Sequence, residues 1–236
     1  MFRHFVLIVL VFGLTHAWDL EIQRLWDGTL LESKDFVQLC INQTVENDAV
    51  EIHIKAPFYN DPAPDAEPGK NLKLKISSKF LKLKKFIGEA FYGLWDYEVA
   101  EVFFLADKKC DGTPDYLELE FGPHGQHLGL YLHGVRNAIK HSFPIEYEAQ
   151  IDKENGSWTG KAKIPKEYFP PGVNKMNAYA INGPSDGRIY KALYPVPGPQ
   201  ADYHRLEFFV PFDATFIEDL YSKSWIEAIQ NPISKD

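Results

Sequence analysis

Apolar and polar side chains change places at every second position through much of this chain, the period of β-strands with one covered face. Val50, Ile52 and Ile54 alternate with Glu51, His53 and Lys55. Leu117, Leu119 and Phe121 alternate with Glu118 and Glu120, and Leu128, Leu130 and Leu132 with Gly129, Tyr131 and His133. Ile145, Tyr147, Ala149 and Ile151 stand between Glu146, Glu148 and Gln150. Trp158, Gly160, Ala162 and Ile164, then Met176, Ala178 and Ala180, continue the pattern. Residues 99–105 form a denser apolar run, suited to a central strand covered on both faces. Turn formers separate these segments: Asp111-Gly112, Gly122-Pro123, Asn155-Gly156, Pro170-Pro171-Gly172 and Ser185-Asp186-Gly187. Short strands punctuated in this way predict an all-β, two-sheet sandwich in one domain. Helical character is confined to residues 165–169 and the tail 214–230, so a short C-terminal helix is expected.

The amino terminus is expected not to belong to the sandwich. Arg3 precedes an apolar run over residues 5–14, and Thr15, His16 and Ala17 follow, the order of a secretory signal. Ten apolar residues are too few to cross a hydrocarbon core roughly 30 Å thick, so no membrane span is expected. Cleavage after Ala17 makes residues 1–17 a signal peptide and 18–236 the mature domain, a secreted protein. Export gives meaning to two N-glycosylation sequons, Asn42-Gln43-Thr44 and Asn155-Gly156-Ser157. It also opens two readings of Cys40 and Cys110: a disulfide, or two separate buried thiols.

Composition excludes several classes. Hydrophobic residues make up 45% of the 236 and aromatics 14%, enough to bury a core, and there is no low-complexity tract. Two cysteines cannot frame a disulfide miniprotein. A net charge of −8 argues against duplex nucleic acid as a partner, because phosphate neutralisation needs a basic face. That charge is uneven. Residues 70–87 hold seven lysines and no acid, and without these and Arg3 the 25 basic residues fall to 17 against 33 acidic. The basic stretch reads as a solvated lysine face or a surface insertion, with an arm for anionic glycans or headgroups as the functional alternative.

Several longer motifs are recognisable. Ala56-Pro57-Phe58-Tyr59-Asn60-Asp61-Pro62-Ala63-Pro64 with Glu67-Pro68-Gly69, Leu94-Trp95-Asp96-Tyr97-Glu98 running into the 99–105 segment, and Pro123-His124-Gly125-Gln126-His127-Leu128 are three of them. Tyr168-Phe169-Pro170-Pro171 and Ala192-Leu193-Tyr194-Pro195-Val196-Pro197 are two more. From Trp26-Asp27-Gly28 to Phe209 the chain resembles the animal family named after human chromosome-four open reading frame thirty-three, which implies no activity of its own. More distantly it is similar to family-nine carbohydrate-binding modules, whose closing signature Asp202-Tyr203-His204-Arg205-Leu206-Glu207-Phe208-Phe209 looks like. That resemblance implies a jelly-roll-like sandwich and a carbohydrate or glycoprotein partner. It also implies two departures. Relatives pass from Glu-Pro-Gly to Leu-Trp-Asp-Tyr in a few residues, whereas here a Lys-rich insertion at about 70–93 intervenes, a lineage-specific loop or a mispredicted exon. Close relatives also look intracellular, unlike a chain with an export signal.

Trp95, Asp96, Tyr97 and Glu98, with Glu101 just beyond, form the densest aromatic and acidic cluster. Flat rings against a pyranose, with carboxylates bonding its hydroxyls, is the chemistry of a sugar site. The alternative is a core tryptophan with carboxylates paired to Arg136, Arg188 or Arg205. His124 and His127 offer two imidazoles three apart, two short of a four-ligand metal site, so no metal is expected. With Arg188 and Tyr194 they complete the candidate ligand-binding set. Glu118 with Glu120, and Glu146 with Glu148, share strand faces and read as the wet face of a sheet rather than a hydrolytic pair. No nucleophile elbow, redox Cys pair or phosphate loop is present, and no cofactor or catalytic residue is implied. The expectation is non-catalytic carbohydrate or glycan binding. Its rivals are a sugar-acting hydrolase or lyase using His124, His127 and a glutamate, and an interaction module using the basic insertion.

Overall fold

A computed structural model of the chain describes residues 17–44, 48–64, 84–87, 89–107, 112–217 and 220–233. The described strands begin with β1 (Ala17–Ile22), β2 (Arg24–Leu25), β3 (Val37–Gln43), β4 (Ala49–Pro57), β5 (Lys84–Ile87) and β6 (Glu89–Ala90). They continue with β7 (Val99–Ala106), β8 (Asp115–Phe121), β9 (Gln126–His133), β10 (Ala138–His141) and β11 (Glu146–Asp152). β12 (Ser157–Pro165), β13 (Lys175–Asn182), β14 (Ile189–Ala192) and β15 (Val210–Pro211) complete the set, followed by one helix, α1 (Lys223–Gln230). The first sheet has the order β1-β3-β4-β12-β11-β5. The second has the order β10-β9-β8-β7-β13-β14-β2, with β15 beside β13 and β6 beside β9. Every pairing is antiparallel except β6 with β9. The all-β sandwich expected from the alternation is the observed architecture.

The alternating residues meet between the sheets. Ile52 and Ile54 of β4, Ala162 and Ile164 of β12, and Val102, Phe104, Leu117 and Leu119 of the second sheet are all buried in one apolar cluster. At a typical 25 cal/mol per Å² of apolar area, burying side chains of this size is the main favourable term holding the layers together. One end of the sandwich is closed by α1. Ser222 caps it, its hydroxyl accepting from Trp225 N–H at 3.3 Å. The Trp225 ring stacks on Tyr131 at 4.3 Å and its Nε1 donates to the Tyr168 carbonyl at 2.9 Å. The helix is shorter than the 214–230 tail suggested, because Phe212, Ala214 and Ile217 fill the core from irregular backbone ahead of it. The other helical expectation, 165–169, is a single 3-10 turn at Lys166–Tyr168.

The Lys-rich insertion falls mostly outside the described residues. Its far end does not: β5 pairs with β11 at the edge of the first sheet, and β6 runs beside β9. Residues 84–87 and 89–93 are therefore part of the fold, where the composition break read as a solvated lysine face or a surface insertion. The open edge of β11 carries unpaired backbone groups, and β5 satisfies them. Cys40 lies on β3, but Cys110 is outside the described residues, as is most of the expected signal segment, and the proposed disulfide falls there with them. Of the two sequons, Asn155 sits exposed in the β11–β12 turn and Asn42 is half-buried on β3. No helix among the described residues is long and apolar enough to cross a membrane.

Candidate functional site

The outer face of the second sheet is not a wet face. Its outward residues are Val99, Glu101, Phe103 and Leu105 on β7, Tyr116, Glu118 and Glu120 on β8, Leu128, Leu130 and Leu132 on β9, and Tyr179 and Ile181 on β13. The apolar members form a second buried cluster, roofed by Leu94, Val196, Tyr203 and Phe209 from the irregular segments 91–97 and 195–209. Those segments leave a cleft of about 690 Å³ between them. Tyr92, Trp95, Phe103, Tyr190 and Tyr203 supply its aromatic wall. Asp96, Glu101, Glu118 and Asp202 supply carboxylates, with Arg136, Arg188 and His204 among them. A groove of similar volume, about 680 Å³, crosses the outer face of the first sheet, but among the described side chains its lining includes no Trp, Tyr or Phe.

Each wall is fixed by the chain that carries it. Gly93 takes a positive φ of 94° that lets the backbone turn into the 3-10 turn Leu94–Asp96, which presents Trp95. Arg188 staples this turn to the opposite rim. Its Nη2 donates to the carbonyls of Trp95 at 2.8 Å and Tyr97 at 2.7 Å, and its Nη1 to Gly183 O at 2.9 Å. Tyr92 packs edge-on to Trp95 with centroids 5.1 Å apart. Across the cleft, Arg136 has φ 58°, a left-handed conformation uncommon for a side chain of this size. It is held there by its N–H, which donates to Tyr116 Oη at 2.9 Å, and its guanidinium pairs with Asp202 at 2.5 Å.

The floor concentrates acid. Glu101 on β7 lies directly opposite Glu120 on β8, with Glu118 two residues along the same face. All three are buried, Glu120 completely. Desolvation pushes each carboxyl up, Glu118 to about 8, and mutual repulsion pushes Glu101 and Glu120 further. No hydrogen-bond donor among the described residues reaches either oxygen of Glu120. His204 stands beside them, held neutral by a pKa lowered to about 4 through burial. Tyr116 Oη, which accepts from Arg136 N–H, lies 2.8 Å from His204 Nδ1, and His204 Nε2 lies 4.0 Å from Glu118 Oε2.

Of the residues singled out from sequence, Trp95, Asp96, Glu101 and Arg188 come together in this cleft. Tyr97 contributes its carbonyl to Arg188 while its ring packs edge-on against Phe91. The others lie elsewhere. Glu98 accepts from Tyr59 N–H and Asp61 N–H in a separate buried network. Tyr194 is tied by its backbone to the Asn177 side chain. His124 sits edge-on to Phe58, its Nε2 3.3 Å from Asp61 O. His127 is buried between the sheets beside Tyr147, its pKa lowered to about 4 by desolvation. His124 and His127 therefore do not join a glutamate in one concave site, which removes that form of the hydrolase reading. No cluster of three or more His, Cys, Asp or Glu side chains suited to a metal occurs among the described residues. Glu146 is exposed and Glu148 half-exposed, as a wet face requires, but Glu118 and Glu120 are not. The cleft also recruits Tyr92, Tyr190, Arg136 and the Asp202-Tyr203-His204 run. The signal that could have found the floor was the 99–105 run itself: a strand covered on both faces implies a covered neighbour on the same outer face.

The molecule is thus a two-sheet β-sandwich whose outer sheet is roofed except over one aromatic-walled, acid-floored cleft. A crystal structure of a putative carbohydrate-binding protein from Bacteroides uniformis shares the fold, with a TM-score of 0.51 at 12% identity over 83% of this chain and 84% of that one. In sequence the chain is 38% identical over 215 residues to the UPF0462 protein C4orf33 homolog of Danio rerio, covering 89% of this chain and 94% of that protein. It is 40% identical over 203 residues to UPF0462 protein C4orf33 of Homo sapiens, covering 83% and 87% respectively. The chain belongs to the UPF0462 C4orf33 family. No family model matches it.

Proposed function

We propose that this protein is an exported, non-catalytic carbohydrate-binding β-sandwich whose ligand lies in the cleft of the second sheet. The observation that carries the reading is the pairing of half-open aromatic faces with a polar floor. Tyr92 is 56% exposed at the rim beside the half-buried Trp95, and Tyr190 faces them across the opening. A pyranose presents an apolar ring face to such side chains, while its hydroxyls meet Asp96, Glu101 and Glu118. The fold shared with a protein described as carbohydrate-binding is in keeping with this role.

Affinity electrophoresis on soluble polysaccharides, backed by a glycan array, tests it. Trp95→Ala is expected to weaken binding about tenfold, the scale of one lost aromatic contact. Glu146→Gln, on the exposed face of the first sheet, is expected to bind like the parent. Absence of binding across a broad panel, or a Trp95→Ala variant that retards like the parent, overturns the assignment. Export is tested separately by expressing the full chain in secreting cells. The medium is expected to hold protein whose first residue is Trp18, leaving the rest of β1 to pair with β3. A full-length chain retained in the cytosol overturns export without touching the cleft.

A further inference from the structure

We infer that the ligand of this cleft is an amino sugar, a pyranoside whose free ammonium group sits against the carboxylates of Glu101 and Glu118. This rests on the carbohydrate reading above and narrows it to one class.

The argument begins with charge. The groups facing the cleft or lying directly behind its floor are Asp96, Glu101, Glu118, Glu120 and Asp202 against Arg136 and Arg188. His204 is neutral there. Asp202 and Arg136 neutralise one another in a contact of 2.5 Å. Arg188 spends three hydrogen bonds on the carbonyls of Gly183, Trp95 and Tyr97 rather than on a carboxylate. Four carboxyls therefore face one guanidinium whose hydrogen bonds go to backbone carbonyls, and three of the four are buried. Buried carboxylates need a paired cation or a proton. Desolvation favours the neutral form of Glu101, Glu118 and Glu120, so a cation brought against them relieves a cost the protein itself leaves standing.

The second observation is Glu120. It is fully buried on the cleft face of β8, and neither of its oxygens meets a hydrogen-bond donor among the described residues. The protein supplies this group no partner, whereas it supplies Glu98, the comparable buried acid nearby, with two backbone N–H groups and the neighbouring ammonium of Lys191. The missing cation fits one arriving with the ligand. Its positive charge takes the place of a proton at Glu118, and the Glu120 carboxyl behind it favours that exchange.

The wall agrees with the floor. Tyr92, Trp95, Tyr190 and Tyr203 line the same opening, and an ammonium close to such rings gains cation–π attraction. A pyranose carrying the ammonium uses both features at once, its ring against Trp95 and its charge over the acids.

Isothermal titration of the whole protein with three oligosaccharides of equal length separates the possibilities. The probes are glucosamine, N-acetylglucosamine and glucose oligomers, used at about pH 6.5, where a sugar amine, like an α-amino group, is largely protonated. The glucosamine oligomer is expected to bind at least about tenfold tighter than the other two, the scale of a charge-assisted contact. It should also release protons, seen as a heat that changes with the buffer's ionisation enthalpy. Glu118→Gln is expected to abolish most of that preference while leaving the weaker binding of the glucose oligomer. Equal affinity for all three, or preference for the acetylated one, overturns the inference and leaves the carbohydrate reading standing. Silence from all three overturns both. Spermidine bound as tightly as the glucosamine oligomer shows that charge is read without the ring, and overturns the amino sugar.

Discussion

Glu118→Gln is expected to raise the thermal midpoint of the ligand-free protein at pH 8 by roughly 5 °C and to flatten its dependence on pH. In the folded chain the Glu118 carboxyl is lifted to about 8, chiefly by desolvation, with the neighbouring Glu120 carboxyl and the Arg136 charge opposing the rise. In the unfolded chain it titrates near its ordinary 4.5. Between those values the folded state binds more protons, so its stability is full below about pH 4.5 and is lost as pH rises through 8. A shift of that size is worth several kcal/mol at about 1.4 kcal/mol per unit, and coupling with Glu101 and Glu120 spreads it over all three groups. Glutamine removes the ionisation and offers Glu120 an N–H donor. A net gain of about 2 kcal/mol is expected, which for a domain of this size is roughly 5 °C. Scanning calorimetry of parent and variant at several pH values between 5 and 8.5 checks this. A variant less stable than the parent at pH 8, with the same slope, would show that Glu118 is ionised and satisfied in the native state.

The same three glutamates mark where the sequence stopped being readable. Alternation in 117–121 and 128–132 separates the two faces of each strand: Leu117 and Leu119 point to the core between the sheets and Glu118 and Glu120 away from it. On β9, however, it is Tyr131 that enters that core, while Leu128, Leu130 and Leu132 share the outer face with the glutamates. What a period of two does not encode is whether the outer face meets water. Here it meets Leu94, Val196, Tyr203 and Phe209, carried by irregular segments distant in sequence, one of them the closing run around Asp202. Trp95, Asp96, Glu101 and Arg188 were recoverable because they sit in or against a dense local motif. His204, Arg136 and Tyr190 were not, because nothing near them in the chain reports that the fold brings them to Glu118. His124 and His127 show the opposite error, since a short spacing suggested a shared site although strand alternation sends His127 into the core and His124 remains in the turn before it.

Conserving the charge of Lys191 is expected to matter more for stability than any other single polar side chain: Lys191→Ala should cost about 3–5 kcal/mol. Lys191 is 1% exposed, its Nζ donating to Tyr59 Oη at 2.7 Å and to Asp35 O at 3.1 Å. Tyr59 O–H in turn donates to Asp35 Oδ1 at 2.7 Å, and Glu98 receives the N–H groups of Tyr59 and Asp61. Asp61 closes the circuit by accepting from Gly183 N–H at 2.6 Å. The Phe58-Tyr59-Asn60-Asp61 motif thus fastens the exit of β4 to β14 and to the hairpin that carries Arg188, and through Arg188 to Trp95. Burial lowers Lys191 to about 8, opposed by the charges of Asp35 and then Glu98, and raises Glu98 to about 7, opposed by the N–H groups of Tyr59 and Asp61 and then by Lys191. Removing the lysine strands the acids, and the midpoint at pH 7.5 should fall by roughly 10 °C. Glu98→Gln alone should cost much less, because that carboxyl is close to half-protonated at neutral pH. Added to Lys191→Ala it should restore part of the loss, a coupling that two neutral neighbours would not show. Equal costs for Lys191→Ala and Glu98→Gln, summing without interaction in the double variant, would mean that Lys191 serves only as a packed side chain and that the motif is not held by charge.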